Sequence, residues 1–334
     1  MTAPPRFAAL DPRHAVPGGR VALRGGPFAV AADALPVVRV GTAVASLSFA
    51  ERDTLKCVVP AEAGAGRQPV RVDAVPGEAA FLEVAELVAT GVHAVDNPAV
   101  DAEGAAYVTC SGSRGQQTPV SVYRITEGGR REIFATGIAN ATSLAFDPAG
   151  RLHVSSRFEG TVSRIEPDGR LEVVASDLGV ACGLAFASDG TLFVGDRSGT
   201  VFVVEPGGDP RPLAELPASV AAFHLALARD EQSLFVSAPT LSTSDAVYRV
   251  GLDGSVAAVC RGLGRPQGLA VDRAGRLHVV EALAGGCGVH RVEPDGTTRV
   301  VVSAASLVGL AFDRAGGLWL TSADTLYRFH TFDA

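Results

Sequence analysis

Residues 309–322 read GLAFDRAGGLWLTS, and residues 268–281 read GLAVDRAGRLHVVE. Both contain a small residue, Leu-Ala-Phe-Asp or a variant, a glycine turn and a β-rich run. The other four copies are NPAVDAEGAAYVTC (97–110), SLAFDPAGRLHVSS (143–156), GLAFASDGTLFVGD (183–196) and HLALARDEQSLFVS (224–237). The fifth residue of each copy, its anchor, is Asp101, Asp147, Ala187, Ala228, Asp272 or Asp313, so the anchors are 40–46 residues apart. Repeats of about 40–45 residues with β-patterning are typical of propeller blades.

Most copies continue into a second hairpin, for example VSRIEPDGRLEVV (162–174). Asp-Gly turns between alternating apolar residues predict hairpins, so each unit has four strands, labelled A to D from the centre outward. The sequence therefore predicts an all-β fold with a six-bladed propeller over residues 79–334. The sixth copy ends after strand C, and LEVAELVATG (82–91) resembles REIFATG (131–137). We therefore expect residues 80–90 to supply the outer strand of the sixth blade, because an unpaired edge is a liability.

Residues 1–78 do not follow this repeat and predict a separate small β-sandwich of short strands. The pattern Pro-x-x-x-x-Pro-Gly-Gly (12–19), then Gly-Gly-Pro-Phe (25–28), Val-Val-Pro (58–60) and Gly-x-x-Pro-Val-x-Val (66–72), resembles IPT/TIG immunoglobulin-like domains. A structural or spacing role is favoured over a catalytic one, and binding of a protein partner through this domain stays open.

Composition excludes several classes of partner. The chain has 36 acidic and 29 basic residues, a net charge of −7, and no cluster of basic residues, so we expect no nucleic-acid binding. No leader sequence and no apolar run long enough to span a bilayer is visible, which predicts a cytoplasmic protein with no membrane contact. The cysteines are odd in number and lack a CxxC motif, which favours reduced thiols.

Loops alternate between the two faces of a propeller. The A–B and C–D turns are short and stereotyped, whereas the B–C and D–A loops vary, so we expect a ligand site at the channel mouth on the second face. The D–A loops place Asp96, Asn97, Thr142, Cys182, His224 and Gln267 there. The B–C loops add Ser111, Arg114, Arg157, Asp196, Arg197 and Glu281.

Each candidate has a simpler interpretation. His224 is the best candidate for a general base, because histidine exchanges a proton near neutral pH, but a hydrogen-bonded structural histidine is the commoner outcome. Cys182 is more readily a small buried residue than a nucleophile. The charges of Asp196 and Arg197, and those of Arg157 and Glu159, can pair locally on solvated loops.

The six units resemble NHL-repeat propellers and the senescence-marker-protein–gluconolactonase family, including bacterial proteins with a similar Cys-Ser-Gly-Ser-Arg-Gly-Gln-Gln run (110–117). The resemblance implies a divalent metal (Ca, Zn or Mn) at the mouth that polarises a lactone carbonyl. It places Asp96 at a position that is both catalytic and metal-binding, and Gln267 at a second metal position. A third family ligand position falls on Phe223, which has no donor atom, so the ligand pattern departs from that of the family.

Two hypotheses about function follow. The first is a gluconolactonase-like hydrolase of lactones or esters that acts on a small-molecule substrate, with His224 and Asp96 as catalytic residues. The second is a non-catalytic propeller that binds a small polar or anionic ligand, or a protein, through Arg114, Arg157 and Arg197. An arginine fork suits carboxylate and phosphate groups.

Overall fold

The computed structural model describes residues 6–31, 34–73, 75, 79–221, 223–283 and 286–333 of the 334-residue chain. Regular structure in these ranges is β-strand apart from one 3-10 turn at Ala61–Ala63. None of the helices in these ranges has the length and apolarity needed to cross a membrane. The fold is an all-β propeller, as the repeat predicts.

The N-terminal strands alternate buried and exposed side chains. Leu55 and Cys57 are fully buried while Lys56, between them, is exposed, and Val21 and Leu23 repeat the pattern on a neighbouring strand. This period of two gives the N-terminal strands an apolar core of their own. The strands are β1 (Arg6–Asp11), β2 (His14–Ala15), β3 (Arg20–Gly26), β4 (Val38–Val40), β5 (Ala43–Ala50), β6 (Thr54–Val58), β7 (Gly66–Val72) and β8 (Ala80–Val84).

The next strand and the first four repeats follow in chain order. The strands are β9 (Glu86–Thr90), β10 (Ala99–Val100), β11 (Ala106–Thr109), β12 (Val122–Ile125), β13 (Arg131–Ala135), β14 (Ala141–Phe146), β15 (Leu152–Ser156), β16 (Thr161–Ile165), β17 (Leu171–Ala175), β18 (Ala181–Phe186), β19 (Leu192–Asp196), β20 (Thr200–Val204), β21 (Arg211–Glu215), β22 (His224–Leu227), β23 (Ser233–Ser237), β24 (Asp245–Gly251) and β25 (Val256–Leu263). Strands β10 to β25 form four separate antiparallel sheets of four strands each.

The last two repeats are organised differently. Their strands are β26 (Pro266–Val271), β27 (Leu277–Glu281), β28 (Gly288–Val292), β29 (Thr298–Ser303), β30 (Leu307–Phe312), β31 (Leu318–Ser322) and β32 (Thr325–Phe329). Strands β30, β31 and β32 form a four-stranded sheet with β9, which pairs antiparallel with β32. Strands β26 to β29 form one end of a twelve-stranded sheet, because β2 pairs in parallel with both β29 and β8.

Six separate blades were expected, whereas the structure has five separate four-stranded sheets. The difference arises at β2, which continues the sheet of β26–β29 into the N-terminal strands instead of leaving a free edge. The outer strand next to β32 spans Glu86–Thr90, shorter than the expected 80–90. Residues Ala80–Val84 pair with β7, so the N-terminal strands extend past the boundary at 78.

The anchor aspartates stabilise the inner hairpins of the repeats that contain them. Asp147 Oδ1 accepts the backbone N–H groups of Ala149 and Arg151 at 3.0 and 2.9 Å, and Gly150 adopts a φ of 78°. The carboxylate thus mimics a backbone acceptor and fixes the turn, while glycine tolerates the left-handed conformation. Asp272 and Asp313 make the same contacts. The anchors are therefore structural and lie on the face opposite the predicted site.

Candidate functional site

The first strand of each repeat approaches its neighbours closely at the channel mouth. Strands β10, β14, β18, β22, β26 and β30 contact one another in this order, and β30 contacts β10. A Cβ atom at Gly309 would lie 2.5 Å from the backbone oxygen of Asp96, and one at Gly183 would collide with the backbone oxygen of Phe223. Glycine in the Gly-Leu-Ala motif is therefore required by close packing of backbones.

Side-chain hydroxyl groups join each repeat to the next. Ser155 Oγ donates to the Cys182 carbonyl at 2.6 Å, and Ser237 Oγ donates to the Gln267 carbonyl at 2.5 Å. Thr109 makes the same bond to the Thr142 carbonyl. Thr321 Oγ1 donates to the Asp96 carbonyl at 3.0 Å and so connects the last repeat to the first. These bonds fix the backbone of the residues that line the mouth.

The structure brings Asp96, His224 and Gln267 together although they lie far apart in the sequence. His224 Nδ1 lies 2.5 Å from Asp96 Oδ1, and its Nε2 lies 3.4 Å from Gln267 Oε1. Both members of the close pair are buried, with His224 fully inaccessible and Asp96 2% exposed. With the Nδ1 proton directed at Asp96, Nε2 is an acceptor, and the Gln267 side chain donates to it once its amide is turned so that the N–H group faces the ring.

Only one of the two carboxylate oxygens of Asp96 has hydrogen-bond partners. Its Oδ1 also accepts the backbone N–H of Asn97 at 2.6 Å, whereas its buried Oδ2 has no hydrogen-bond partner. An unpaired buried carboxylate oxygen costs free energy unless a donor reaches it. Asp96 Oδ2 is therefore a position for a donor group of a water molecule or ligand.

Cys182 is close to this pair but is unsuited to nucleophilic attack. Burial, and then the negative charge of Asp96, raise the pKa of its thiol to about 12. A thiol with that pKa stays protonated at neutral pH, and the thiolate is the reactive form. The geometry thus favours the interpretation of Cys182 as a small buried residue.

Arg157 and Arg197 bring positive charge to the mouth. Arg157 Nη2 donates to Ser111 Oγ at 3.3 Å and to the Gly112 carbonyl at 3.4 Å. Burial, and in addition the positive charge of Arg197, lower the pKa of the Arg157 guanidinium. Within the described ranges, neither guanidinium forms an ion pair with a carboxylate.

The local ion pairs considered from the sequence are not formed. Asp196 is buried and accepts the backbone N–H groups of Val180 and Ser198 at 2.8 and 3.0 Å, and the hydroxyl of Ser198. Its carboxylate therefore holds a loop instead of pairing with Arg197, and Glu159 does not pair with Arg157. Asp196 was predicted as a ligand residue, and its contacts give it a structural role.

Glu281 and Asn97 also form hydrogen bonds with backbone groups. Glu281 accepts the backbone N–H groups of Gly264, Arg265 and Leu283, the first at 2.7 Å. The Asn97 amide donates to the Leu269 carbonyl and accepts from the Leu310 N–H, at 3.1 and 3.0 Å. Both were expected to bind ligand, and the structure engages their polar atoms with backbone groups.

Sequence reasoning missed two residues of the mouth. The guanidinium of Arg265, in the loop before β26, has a buried Nε without a partner. Asn140 adopts a left-handed φ of 51° and fixes the first B–C loop. It donates to the carbonyls of Gly112 and Ser113 and accepts from the Gly115 N–H at 2.7 Å. Comparing the residues seven before each anchor would have identified both.

Arg114 and Thr142 complete the predicted set. Arg114 is exposed on the loop that Asn140 fixes, and its role in ligand binding stays a prediction. Thr142 is buried, and its hydroxyl donates to the Asn140 carbonyl at 2.8 Å. Thr142 therefore fixes the backbone of Asn140, the residue that holds the first B–C loop.

The donor atoms do not fit the expected divalent metal. At the two predicted metal positions, Gln267 Oε1 faces His224 and Asp96 Oδ2 is left without a partner. The oxygens of the nearby Asn97 and Glu281 accept backbone N–H groups. The described residues contain no group of three or more His, Cys, Asp or Glu side chains placed to hold an ion. A hard cation requires several oxygen ligands, so we derive no step through a metal.

On the opposite face, several arginines in the grooves between repeats have acidic partners. Arg151 pairs with Asp147, Arg164 Nε with Glu166 at 2.6 Å, and Arg291 Nη2 with Glu293 at 2.5 Å. These pairs line grooves between repeats, including one of about 400 Å³ that contains Arg151 and Arg164. The positive charges of these three arginines are thus compensated by neighbouring carboxylates.

No protein-family model and no curated protein sequence matches the chain. Its fold is similar to that of an auxiliary nutrient binding protein from Bacteroides thetaiotaomicron, at 13% identity over 98% of each chain with a TM-score of 0.57. A gluconolactonase from Xanthomonas campestris matches at 20% identity over 72% of this chain and 88% of its own, with a TM-score of 0.61. A virginiamycin B lyase from Staphylococcus aureus matches at 14% identity over 74% and 87%, with a TM-score of 0.52.

At these identities the likeness concerns the fold alone. The chain is therefore an all-β propeller whose structural neighbours include proteins named for binding and proteins named for catalysis. Which of these activities the chain has must be argued from its own residues.

Proposed function

We propose that the protein binds a small anionic ligand at the channel mouth through Arg157 and Arg197. The observation that carries this proposal is that two neighbouring, partly buried arginines have no carboxylate partner in the described ranges. By comparison, Arg151, Arg164 and Arg291 in the grooves of the opposite face each pair with Asp or Glu. Two neighbouring guanidinium groups repel each other, and an external anion supplies the missing negative charge.

The partial burial of Arg157 strengthens the argument. Its pKa is lowered because the side chain is withdrawn from water close to a like charge. The hydrogen bonds to Ser111 and Gly112 use one nitrogen, Nη2. The guanidinium is therefore held in position with donors still available for a carboxylate or phosphate group.

The test is ligand-induced thermal stabilisation. Wild type and the variants Arg157→Ala, Arg197→Ala and the control Arg211→Ala are melted with increasing acetate, succinate or phosphate at constant ionic strength. Arg211 is exposed and pairs with Glu205 away from the mouth. We expect at least one anion to raise the Tm of wild type and the control, with about 2.7 kcal/mol of stabilisation at 100 times Kd. The two mouth variants should lose most of this effect, and equal shifts in all four proteins would contradict the proposal.

A second candidate, hydrolysis of a lactone or ester, is favoured by the buried His224–Asp96 pair. In this proposal Asp96 orients the imidazole, Nε2 takes a proton from the water that attacks the carbonyl carbon, and the protonated ring returns this proton to the leaving alkoxide as the ester C–O bond breaks. The test is a panel of aliphatic lactones with wild type and His224→Gln, with and without a chelator. Turnover that His224→Gln abolishes and the chelator leaves intact would support it, and no turnover by wild type would contradict it.

We further propose that the ring has six blades, with β26–β29 as the fifth in chain order. This rests on the antiparallel order of those four strands and on the closed succession of contacts among the six inner strands. The Thr321–Asp96 bond supports closure between the last repeat and the first. We also propose that the N-terminal strands form an IPT/TIG-like immunoglobulin module, supported by their separate apolar core.

A further inference from the structure

Large apolar side chains are exposed on the loops that surround the mouth. Phe158 is 53% exposed, Leu241 90% and Leu283 63%, and all three lie in B–C loops. Val220, 47% exposed, lies in the D–A loop before β22. On the stereotyped A–B and C–D turns of the opposite face, Leu252 is the large exposed apolar side chain in the described ranges. We call Phe158, Val220, Leu241 and Leu283 the apolar rim.

The loops that carry the apolar rim are held by hydrogen bonds. The backbone N–H of Val220 donates to the Pro239 carbonyl at 2.9 Å, which joins its loop to the loop of Leu241. The backbone N–H of Leu283 donates to Glu281 Oε1 at 2.8 Å. The ring of Phe158 lies beside Gly115, where a Cβ atom would be 3.1 Å from Cε2. The fold thus holds these apolar side chains exposed on loops of the face that carries Arg157 and Arg197, and exposed apolar groups on such a face favour a binding surface there.

We infer that the ligand is a small amphiphilic carboxylate whose head binds Arg157 and Arg197 and whose apolar chain covers the rim. This inference rests on the proposed function, because it assigns the head group to the same arginines. The unpaired positive charge in the mouth selects the anionic end, and the exposed apolar groups select the rest of the molecule. A hydrophilic anion such as acetate would satisfy the arginines and leave the rim in water.

The experiment is calorimetric titration with acetate, butanoate, hexanoate and octanoate below their aggregation concentrations. Because each methylene group buried on a partly open rim contributes to binding, we expect affinity to rise about two- to fourfold per methylene. Leu241→Ser and Leu283→Ser should weaken octanoate binding several-fold and leave acetate binding unchanged. Leu252→Ser, at a leucine that is 44% exposed on the opposite face, is the control and should bind octanoate like wild type.

The outcomes separate this inference from the function on which it rests. If Arg197→Ala binds every carboxylate as wild type does, the proposed function fails. If Arg197→Ala weakens binding but affinity is independent of chain length, or Leu241→Ser and Leu283→Ser bind octanoate like wild type, this inference fails alone. Co-sedimentation with anionic phosphatidylglycerol vesicles, without binding of free octanoate, would also overturn it and indicate a lipid surface instead.

Discussion

Cys182 illustrates how a single environment decides the chemistry of a residue. Its thiol is among the most buried in the chain and lies near the carboxylate of Asp96. Both features disfavour the thiolate. The backbone carbonyl of Cys182 accepts a hydrogen bond from Ser155 Oγ, which joins two repeats. Cys182 is therefore a buried packing residue at the mouth.

We expect Cys182 to resist alkylation in the folded protein. With a pKa of about 12, roughly one thiol in ten thousand is ionised at pH 8. Cys287, which is partly exposed, is the internal comparison and should react first. The measurement is iodoacetamide labelling at pH 8 followed by peptide mass spectrometry, and labelling of Cys182 ahead of Cys287 would contradict the assignment.

Asn140 gives a second prediction at this scale. Removing its side chain releases three hydrogen bonds to the Gly112–Gly115 segment, so Asn140→Gly should loosen the loop while keeping the positive φ accessible. Trypsin cuts after arginine, and Arg114 lies on this loop. We expect cleavage after Arg114 to become at least several-fold faster in Asn140→Gly than in wild type, with unchanged cleavage after Arg170, an exposed control site on the opposite face. Equal rates after Arg114 would show that Asn140 does not fix the loop.

The sequence identified where polar residues collect but not what each of them binds. Asp96, His224 and Gln267 meet as expected for residues at equivalent strand entries. Asn97, Asp196 and Glu281 were grouped with them because the same amide and carboxylate groups serve a ligand or a backbone N–H equally well. Only the direction of nearby N–H groups separates these uses, and that direction depends on tertiary structure.

Strand β9 shows how an element can complete a distant sheet. It pairs with β32 through Ala89–Leu326 and Leu87–Tyr327, more than 230 residues apart. Ala89 is buried in a cluster with Trp319 and Leu326, whereas Leu87 is 53% exposed. The Ala-Thr-Gly at 89–91, which recurs at 135–137 after the outer strand of another repeat, predicted this partner. The alternation of buried and exposed apolar side chains then sets the register of the pairing.

A charge on the buried side of β9 should therefore destabilise the propeller. We expect Ala89→Asp to lower the free energy of unfolding by about 3 kcal/mol or more, because an unpaired carboxylate enters an apolar cluster. Leu87→Asp, two residues away and exposed, should cost about 1 kcal/mol or less. Urea denaturation monitored by Trp319 fluorescence compares them, and equal losses would mean that β9 does not close the sheet.

At the scale of the whole molecule, β2 makes one continuous sheet of the N-terminal strands and β26–β29. The contact is sealed where Val16 N–H donates to the Ser303 carbonyl at 3.0 Å and Arg20 N–H donates to Ser303 Oγ at 2.7 Å. The repeat period predicted the propeller, but the joined sheet was not predicted. A strand of two residues has no periodicity to recognise.

Buried histidines make the stability of the whole fold depend on pH. Burial lowers the pKa of His14, His153 and His278, the last from 6.5 to about 4. The unfolded chain binds protons that these buried histidines exclude in the folded state. The stability contributed by the neutral histidines is therefore fully present above pH 6.5 and is lost as the pH drops toward 4. For His278 alone the loss is about 3 kcal/mol. Thermal melts should show this decline in wild type and a shallower one in His278→Leu, and parallel curves would contradict it.

The central claim is that the mouth, and not the opposite face, binds an anion through Arg157 and Arg197. The most direct measurement is a crystal structure of the protein soaked with 6-bromohexanoate, whose bromine is located by anomalous scattering and whose carboxylate is located in the electron density. The account predicts the carboxylate within hydrogen-bonding distance of both guanidinium groups and the bromine over the apolar rim. A carboxylate bound only in the grooves of the opposite face, or a well-defined mouth without the ligand at saturating concentration, would contradict it.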